Sequence, residues 1–318
     1  MAVSVNDGAL EIVKEIIDRK EELNCTVTEQ GNGATLIDAG IDVEGGLEAG
    51  RLVGEICLGG MGAVRFTHMN IGDLSLPAVV VSTDQPKIAT MGSQFAGWTI
   101  KVDKYFAMGS GPARALAVVE KKLYAELEYK DEAKVGVIVL ETRKAPPEDV
   151  TKYIADKCGI STSDLYCVMT PTACVAGSVQ ISARVVEVGV HKLHELGYNP
   201  GKIKSGFGVA PIAPVAKNDN KAMGATNDCI LYGGRTFYFI RPDEEDDLTA
   251  LAEKAPSSAS KQYGQPFYDL FKGFEFDFYK VDPHLFSPAE ITLNDITSGK
   301  TFKAGALNAD ILKKSFGM

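Results

Sequence analysis

Residues Thr172–Leu196 read TACVAGSVQISARVVEVGVHKLHEL, a stretch dominated by valine and other apolar residues and carrying Arg184 and Glu187 in its middle. The pattern predicts one long helix. It closes a series in which Val135–Leu140 reads as a short buried strand, Pro147–Cys158 as a helix opened by proline and Leu165–Met169 as a second strand, and this series sets an α/β class. Residues three apart on a helix lie ~60° apart around its axis, so Arg184 and Glu187 project to one side, with Gln180 and His191 extending the stripe. In a desolvated cleft such a pair holds an acid/base in one orientation; on a wet surface it contributes at most about 0.5 kcal/mol. Burial therefore decides between a reactive pair and a solvated helix face.

Upstream, Ala9–Leu23 has the apolar spacing of an amphipathic helix. Cys25–Glu29 and Ala34–Ala39 flank Gln30-Gly31-Asn32-Gly33 as a hairpin, and Leu52–Leu58, Ala63–Met69 and Ala78–Ser82 read as further strands. Downstream, a strand is expected near Lys202–Phe207, then a Gly/Pro/Asn-rich passage to Asp228 and a strand over Cys229–Ile240. The acidic run Asp243–Asp247 suits a helix start. Ile291–Asn294 and Lys300–Lys303 form a second hairpin across Thr297-Ser298-Gly299, and a closing helix begins at Asn308. The mixture implies two-layer α/β architecture of α+β type, with an α/β segment at 97–200 inserted between the parts, 1–96 and 201–318, of a β-rich domain. The lack of a sustained βαβ series argues against a TIM barrel or a regular Rossmann sheet.

The 318 residues allow two domains or one large core, and 45% hydrophobic with 24% charged residues is an ordinary globular composition. A formal net charge of -9 argues against a nucleic-acid partner. No apolar run approaches the ~18 residues of a membrane span, and Met1–Asn24 is unlike a signal peptide, so the expected address is the cytoplasm, with no membrane partner. Cys25, Cys57, Cys158, Cys167, Cys174 and Cys229 show no C-x-x-C spacing and fit buried thiols in a reducing compartment.

Three further groups of residues suggest chemistry. Met108–Leu116 reads as a glycine-rich loop feeding a helix with Pro112 at its first position; the free amides around Gly109, Ser110 and Gly111 could bind an anion, helped by Arg114 and Lys104. A helix start without a ligand explains the same residues, and neither the phosphate loop nor the G-x-G-x-x-G fingerprint is present. The polar passage with Asn218, Asp219, Asn227 and Asp228 could recognise a flat heterocycle through carboxylate and amide groups, or simply form turns. His191 and His194 share a helix face but lack the third ligand of a zinc site, and no metal is assigned. A G-x-S-x-G nucleophile elbow is missing. The aromatic cluster Tyr263, Phe267, Tyr268, Phe271, Phe274, Phe276, Phe278 and Tyr279 reads as core or subunit interface.

Several long blocks, in order, resemble the methenyltetrahydromethanopterin cyclohydrolase family of one-carbon metabolism. They are Gly92–Trp98 leading through Lys101–Ala107 into Gly109–Leu116, then Gly177–Arg184, Lys221–Asp228, Tyr263–Tyr268 and Asp277–Pro283. Phe95 stands where other members carry different residues, lysine among them, and is not counted as a site. The resemblance implies reversible hydrolysis of the cationic 5,10-methenyl bridge of tetrahydromethanopterin to the 5-formyl derivative, with no metal or redox cofactor, in a homotrimer whose two α/β domains enclose a ligand cleft. Glu187 is then the acid/base and Arg184 its holder. Ser93, Gln94, Lys104, Gly109, Ser110, Gly111, Arg114, Gln180, Asn227 and Asp228 are the expected substrate-binding residues. The rival readings are a non-catalytic pterin-binding protein and a phosphoryl-transfer enzyme built on Gly109–Arg114.

Overall fold

The computed structural model describes residues 3–277 and 280–318; Phe278 and Tyr279, which the sequence reading put in the aromatic cluster and in a family block, lie outside the described residues. The chain opens with α1 (Val5–Asp18), capped by the Ser4 hydroxyl, the hairpin β1 (Thr26–Glu29) and β2 (Thr35–Asp38), and α2 (Leu47–Cys57). A second hairpin, β3 (Ala63–Ile71) and β4 (Leu74–Thr83), precedes a wide helix over Lys87–Gln94. Next come β5 (Trp98–Val102), β6 (Tyr105–Ser110), α3 (Ala113–Ala117), α4 (Lys121–Leu127), β7 (Gly136–Glu141), α5 (Glu148–Cys158), β8 (Leu165–Met169), α6 (Val175–Ser182) and α7 (Val185–Glu195). The remainder is β9 (Ile203–Pro211), α8 (Asp219–Leu231), β10 (Arg235–Ile240), α9 (Leu248–Lys254), α10 (Phe267–Gly273), β11 (Glu290–Asp295), β12 (Thr301–Gly305) and α11 (Ala309–Phe316).

Two compact units result, Met1–Gly62 with Ile88–Gln180 and Ala63–Lys87 with Ile181–Met318. This is not the expected division into 1–96 plus 201–318 around 97–200. Strand pairing assigns the segments: β2 pairs in parallel with β8, Thr35 opposite Tyr166, whereas β4 pairs with β9, Ala78 opposite Pro211. Each unit therefore draws on both halves of the chain, which local composition cannot reveal.

The first unit holds a mixed sheet in the order β1-β2-β8-β7-β6-β5, parallel across β2, β8 and β7. Val13 and Ile16 of α1 and Leu52 and Ile56 of α2 pack with Ile37, Val137, Val139 and Val168. The intervening residues Leu36, Ile138, Leu140 and Cys167 face the other way, onto Val150 and Ile154 of α5. Both faces are covered, which is why these strands read as continuous apolar runs, and the unit has three layers where two were expected. Leu52–Leu58, expected as a strand, belongs to α2 up to Cys57: Leu52, Val53, Ile56 and Cys57 fall at helical spacing on one buried stripe.

The second unit holds the sheet order β12-β11-β10-β9-β4-β3, antiparallel except between β10 and β11. Helix α7 lies on the face bearing Gly206, Gly208 and Tyr238. On the opposite face Leu76 and Ala78 join Leu231, Phe267, Ile311 and Leu312 in one core. The strand expected over Cys229–Ile240 begins only at Arg235, because Cys229–Leu231 finish α8 and Gly233-Gly234 turn the chain.

Asn6 joins three segments of the first unit. Fully buried, it accepts the Val137 amide at 3.0 Å and donates to the Pro112 carbonyl at 3.0 Å and Asp131 Oδ2 at 2.8 Å. Asn6→Ala strands these partners in the interior and is expected to destabilise the chain by roughly 2–4 kcal/mol, read as a lower urea midpoint at unchanged m.

Candidate functional site

The single helix expected over Thr172–Leu196 is two helices. The Ser182 hydroxyl donates to the Pro211 carbonyl at 2.8 Å, and the backbone tightens so that the Arg184 amide bonds to Ile181 O, three residues back, before α7 starts. Arg184 is the N-cap of α7 and Glu187 sits in its first turn, where a carboxylate suits the helix dipole. Arg184 Nη2 donates to Glu187 Oε2 at 2.9 Å, and the two side chains are only 13% and 4% exposed. That burial rules out the solvated helix face. The break also ends the stripe at its upstream side: Gln180 belongs to α6 and to the first unit.

One turn on from Glu187, His191 continues the α7 face. Burial holds its pKa below the ordinary histidine value, against the opposing pull of Glu187 and Glu195, so a neutral imidazole stands beside the carboxylate at pH 7.

In the first unit, the wide helix Lys87–Gln94 shapes the candidate loop. It carries the i→i+5 bond of a π-helix, from the Phe95 amide to Thr90 O at 2.9 Å, a form that recurs at functional sites. Neither helical nor strand periodicity signals it. Ser93 and Gln94 end it, both fully buried, with Ser93 Oγ donating to the Cys57 carbonyl at 2.7 Å. Arg114, expected to reach a ligand, is fully buried and turned inward: Nε donates to Glu120 Oε1 at 2.8 Å and Nη1 to the Ser93 and Met91 carbonyls at 3.0 and 3.3 Å. Its guanidinium lies 5.1 Å from the Phe95 ring centre and 5.7 Å from that of Tyr124. The carbonyl end of a helix needs donors, and Arg114 supplies them.

The anion loop is reshaped accordingly. Gly109 and Ser110 are strand residues, opposite Leu140 and Val139, and the Gly111 amide is taken by Ser93 O at 2.9 Å. Pro112 caps a helix of only five residues. Lys104 lies exposed in the β5–β6 turn, separated from Arg114 by the length of β6. Lys104 and Arg114 therefore do not share one anion site.

Gln180 is different. Its side chain is buried, and among the described residues its Oε1 has no hydrogen-bond partner, nor does the buried hydroxyl of Thr170 at the end of β8. Asp38 ends β2 and accepts the amides of Gly40, Ile41 and Asp42 at 2.6–2.8 Å, while Glu141 ends β7 and accepts the Thr172 hydroxyl. Sequence reading singled out none of the three strand-end residues Asp38, Glu141 and Thr170, although the carboxyl ends of parallel strands are the usual ligand position in α/β sheets.

Asn227 and Asp228, expected in a loop, lie on α8, which Asn218 caps through its side chain. Asn227 Nδ2 donates to Met223 O, one turn back, at 2.8 Å. Asp228 is fully buried, and both its oxygens accept the Phe267 amide, at 2.9 and 3.2 Å, so it caps α10. Tyr263, Phe267 and Phe271 fill the surrounding core, as expected of the aromatic cluster.

A family model described as Cyclohydrolase (MCH) matches residues 4–316. The chain is 48% identical to the methenyltetrahydromethanopterin cyclohydrolase of Methanococcoides burtonii over 316 residues, covering 99% of each. It is 49% identical to the Methanocaldococcus jannaschii protein of that name, covering 99% of this chain and 98% of the relative. Identity to the Methanothermobacter marburgensis protein of that name is 48%, covering 99% and 100%.

Burial pushes the Asp228 carboxyl up to about 7, opposed by its hydrogen bonds to Ser315 and Phe267. The folded chain then binds this proton more tightly than the unfolded chain, so the group's contribution falls as pH rises from about 4 to about 7. Asp228→Asn keeps an acceptor for the Phe267 amide and is expected to flatten this part of the stability–pH curve, measured by denaturant unfolding across that range.

Proposed function

Because the chain belongs to the MCH cyclohydrolase family, which it matches nearly end to end, we propose that it is a methenyltetrahydromethanopterin cyclohydrolase whose acid/base unit is the buried Arg184–Glu187 pair. It interconverts 5,10-methenyltetrahydromethanopterin and the 5-formyl derivative by adding and removing water. The full-length match carries the reaction; the buried ion pair supports the residue assignment.

The bridge carbon of an amidinium-like cation is already electrophilic, so the protein's tasks are to place water and to move protons. Arg184 ties down Glu187 Oε2, and we assign Oε1 to the attacking water. Glu187 takes a proton as the C–O bond forms and returns it to N10 as the C–N10 bond breaks. The adduct's hydroxyl then loses its proton to solvent, which leaves the neutral formyl group on N5.

The chemistry requires water and no cofactor. No helix among the described residues is long and apolar enough to cross a membrane, and a cytoplasmic site of action is proposed. A homotrimer is proposed as well. Exposed Phe207 and Phe239, with Phe237 4.9 Å from Phe239, form an apolar patch on one sheet face that suits a contact between copies.

Glu187→Gln is expected to lower kcat at least 10²–10⁴-fold with folding and substrate affinity retained, followed by loss of the methenyl absorbance. Near-normal turnover would remove the acid/base role from Glu187. Arg184→Gln should displace the pH–rate profile of kcat, and an unchanged profile at normal rate would take Arg184 out of the mechanism.

A further inference from the structure

Helix α7 turns a second face toward a cavity of about 470 Å³ in the second unit. Lys192 and Leu196, one turn apart, line it, and Lys192 lies about 140° around the helix from Glu187, away from the reacting pair. Lys254 at the end of α9, Ala259, Lys261, Asp282 and His284 complete the lining.

Lys192 forms the floor. Its side chain is fully buried, and Nζ donates to the His284 carbonyl at 2.7 Å, using one of the ammonium's three donors. The carboxylates that act on it are engaged elsewhere: Asp282 accepts the Ser260 hydroxyl at 2.6 Å and the His284 amide at 3.0 Å, and Glu195 lies 3.7 Å from His191. Lys254 and Lys261 are exposed at the rim. Three lysines thus face one carboxylate in a chain of net charge -9, leaving a local surplus that matches a dianion. Burial pushes Lys192 down to about 8, against the pull of Asp282 and Glu195; an oxyanion at the floor would offset the solvation lost there.

We propose that this cavity binds a phosphoryl group, free or carried on a small organic phosphate, with Lys192 Nζ at its base and Lys254 and Lys261 at its mouth. The site lies apart from the Arg184–Glu187 chemistry.

Calorimetric titration of the full chain with inorganic phosphate, ionic strength held constant with chloride, is expected to show saturable binding. Lys192→Met should weaken it at least tenfold. Should that variant fold poorly, Lys254→Gln with Lys261→Gln, both at exposed positions, should weaken it several-fold. Tighter binding of glycerol phosphate would identify an organic phosphate as the ligand, and equal binding free phosphate; either result upholds the site. The proposal is overturned by an absence of binding beyond chloride, or by undiminished affinity in the folded variants. Competitive inhibition of the methenyl substrate by phosphate, with the same constant in wild type and variants, would place the anion at the reaction site and overturn it too.

Discussion

The close seating of α7 on its sheet is the constraint on which the proposed acid/base pair depends. A Cβ at Gly206 would come within 2.7 Å of Val186 Cγ1, and one at Gly208 within 2.8 Å of Val185 Cγ1, so only glycine lets the helix lie this near the strands. The buried Tyr238 hydroxyl then donates to the Val186 carbonyl at 2.8 Å. One residue later comes Glu187. Its backbone is fixed by packing and a hydrogen bond before Arg184 orients its carboxylate, the arrangement of first contact and rigid support that an acid/base group requires.

Two arginines, Arg114 fully buried and Arg184 half-buried, show how the same residue type is put to different use. Arg114 is enclosed by the carbonyls of Met91 and Ser93, the carboxylate of Glu120 and the rings of Phe95 and Tyr124, so its charge closes a helix end. Arg184 instead meets a carboxylate in the first turn of its own helix. Leaving either cation unpaired in the interior would cost about 3–5 kcal/mol. The partner decides the role: Glu120, six residues along and outside any helical repeat with Arg114, is invisible to spacing, whereas Glu187 at i+3 is not.

What was legible in the sequence follows from the range of each interaction. Both short hairpins, the α5 start on Pro147 and the strands Gly136–Glu141 and Leu165–Met169 rest on local turn chemistry and buried runs, and all appear where spacing put them. Asn and Asp between 218 and 228 read as turn formers, yet Asn218 caps α8 and Asp228 caps α10, so the same local bonding capacity is spent on helix ends. The helix break at Ala183–Arg184 depends on a bond from Ser182 to a strand much later in the chain, and the unit boundaries depend on β2–β8 and β4–β9 pairing. No local pattern encodes contacts of that range. The ion pair was visible as geometry, its burial was not, and its meaning came from blocks spread over the whole chain.

An arginine beside a cationic substrate looks unfavourable until the change of charge along the reaction is considered. The methenyl bridge carries its positive charge in the bound substrate and loses it as water adds. A bare buried carboxylate would therefore attract the ground state more than the transition state, tightening binding while slowing the chemical step. With Arg184 2.9 Å away, the unit is close to neutral overall, and this unequal attraction is reduced. Arg184 holds Oε2, and in the proposed mechanism Oε1 receives the proton of the water. In the proposed mechanism the pair therefore supplies a proton acceptor without supplying the countercharge that would hold the cation back.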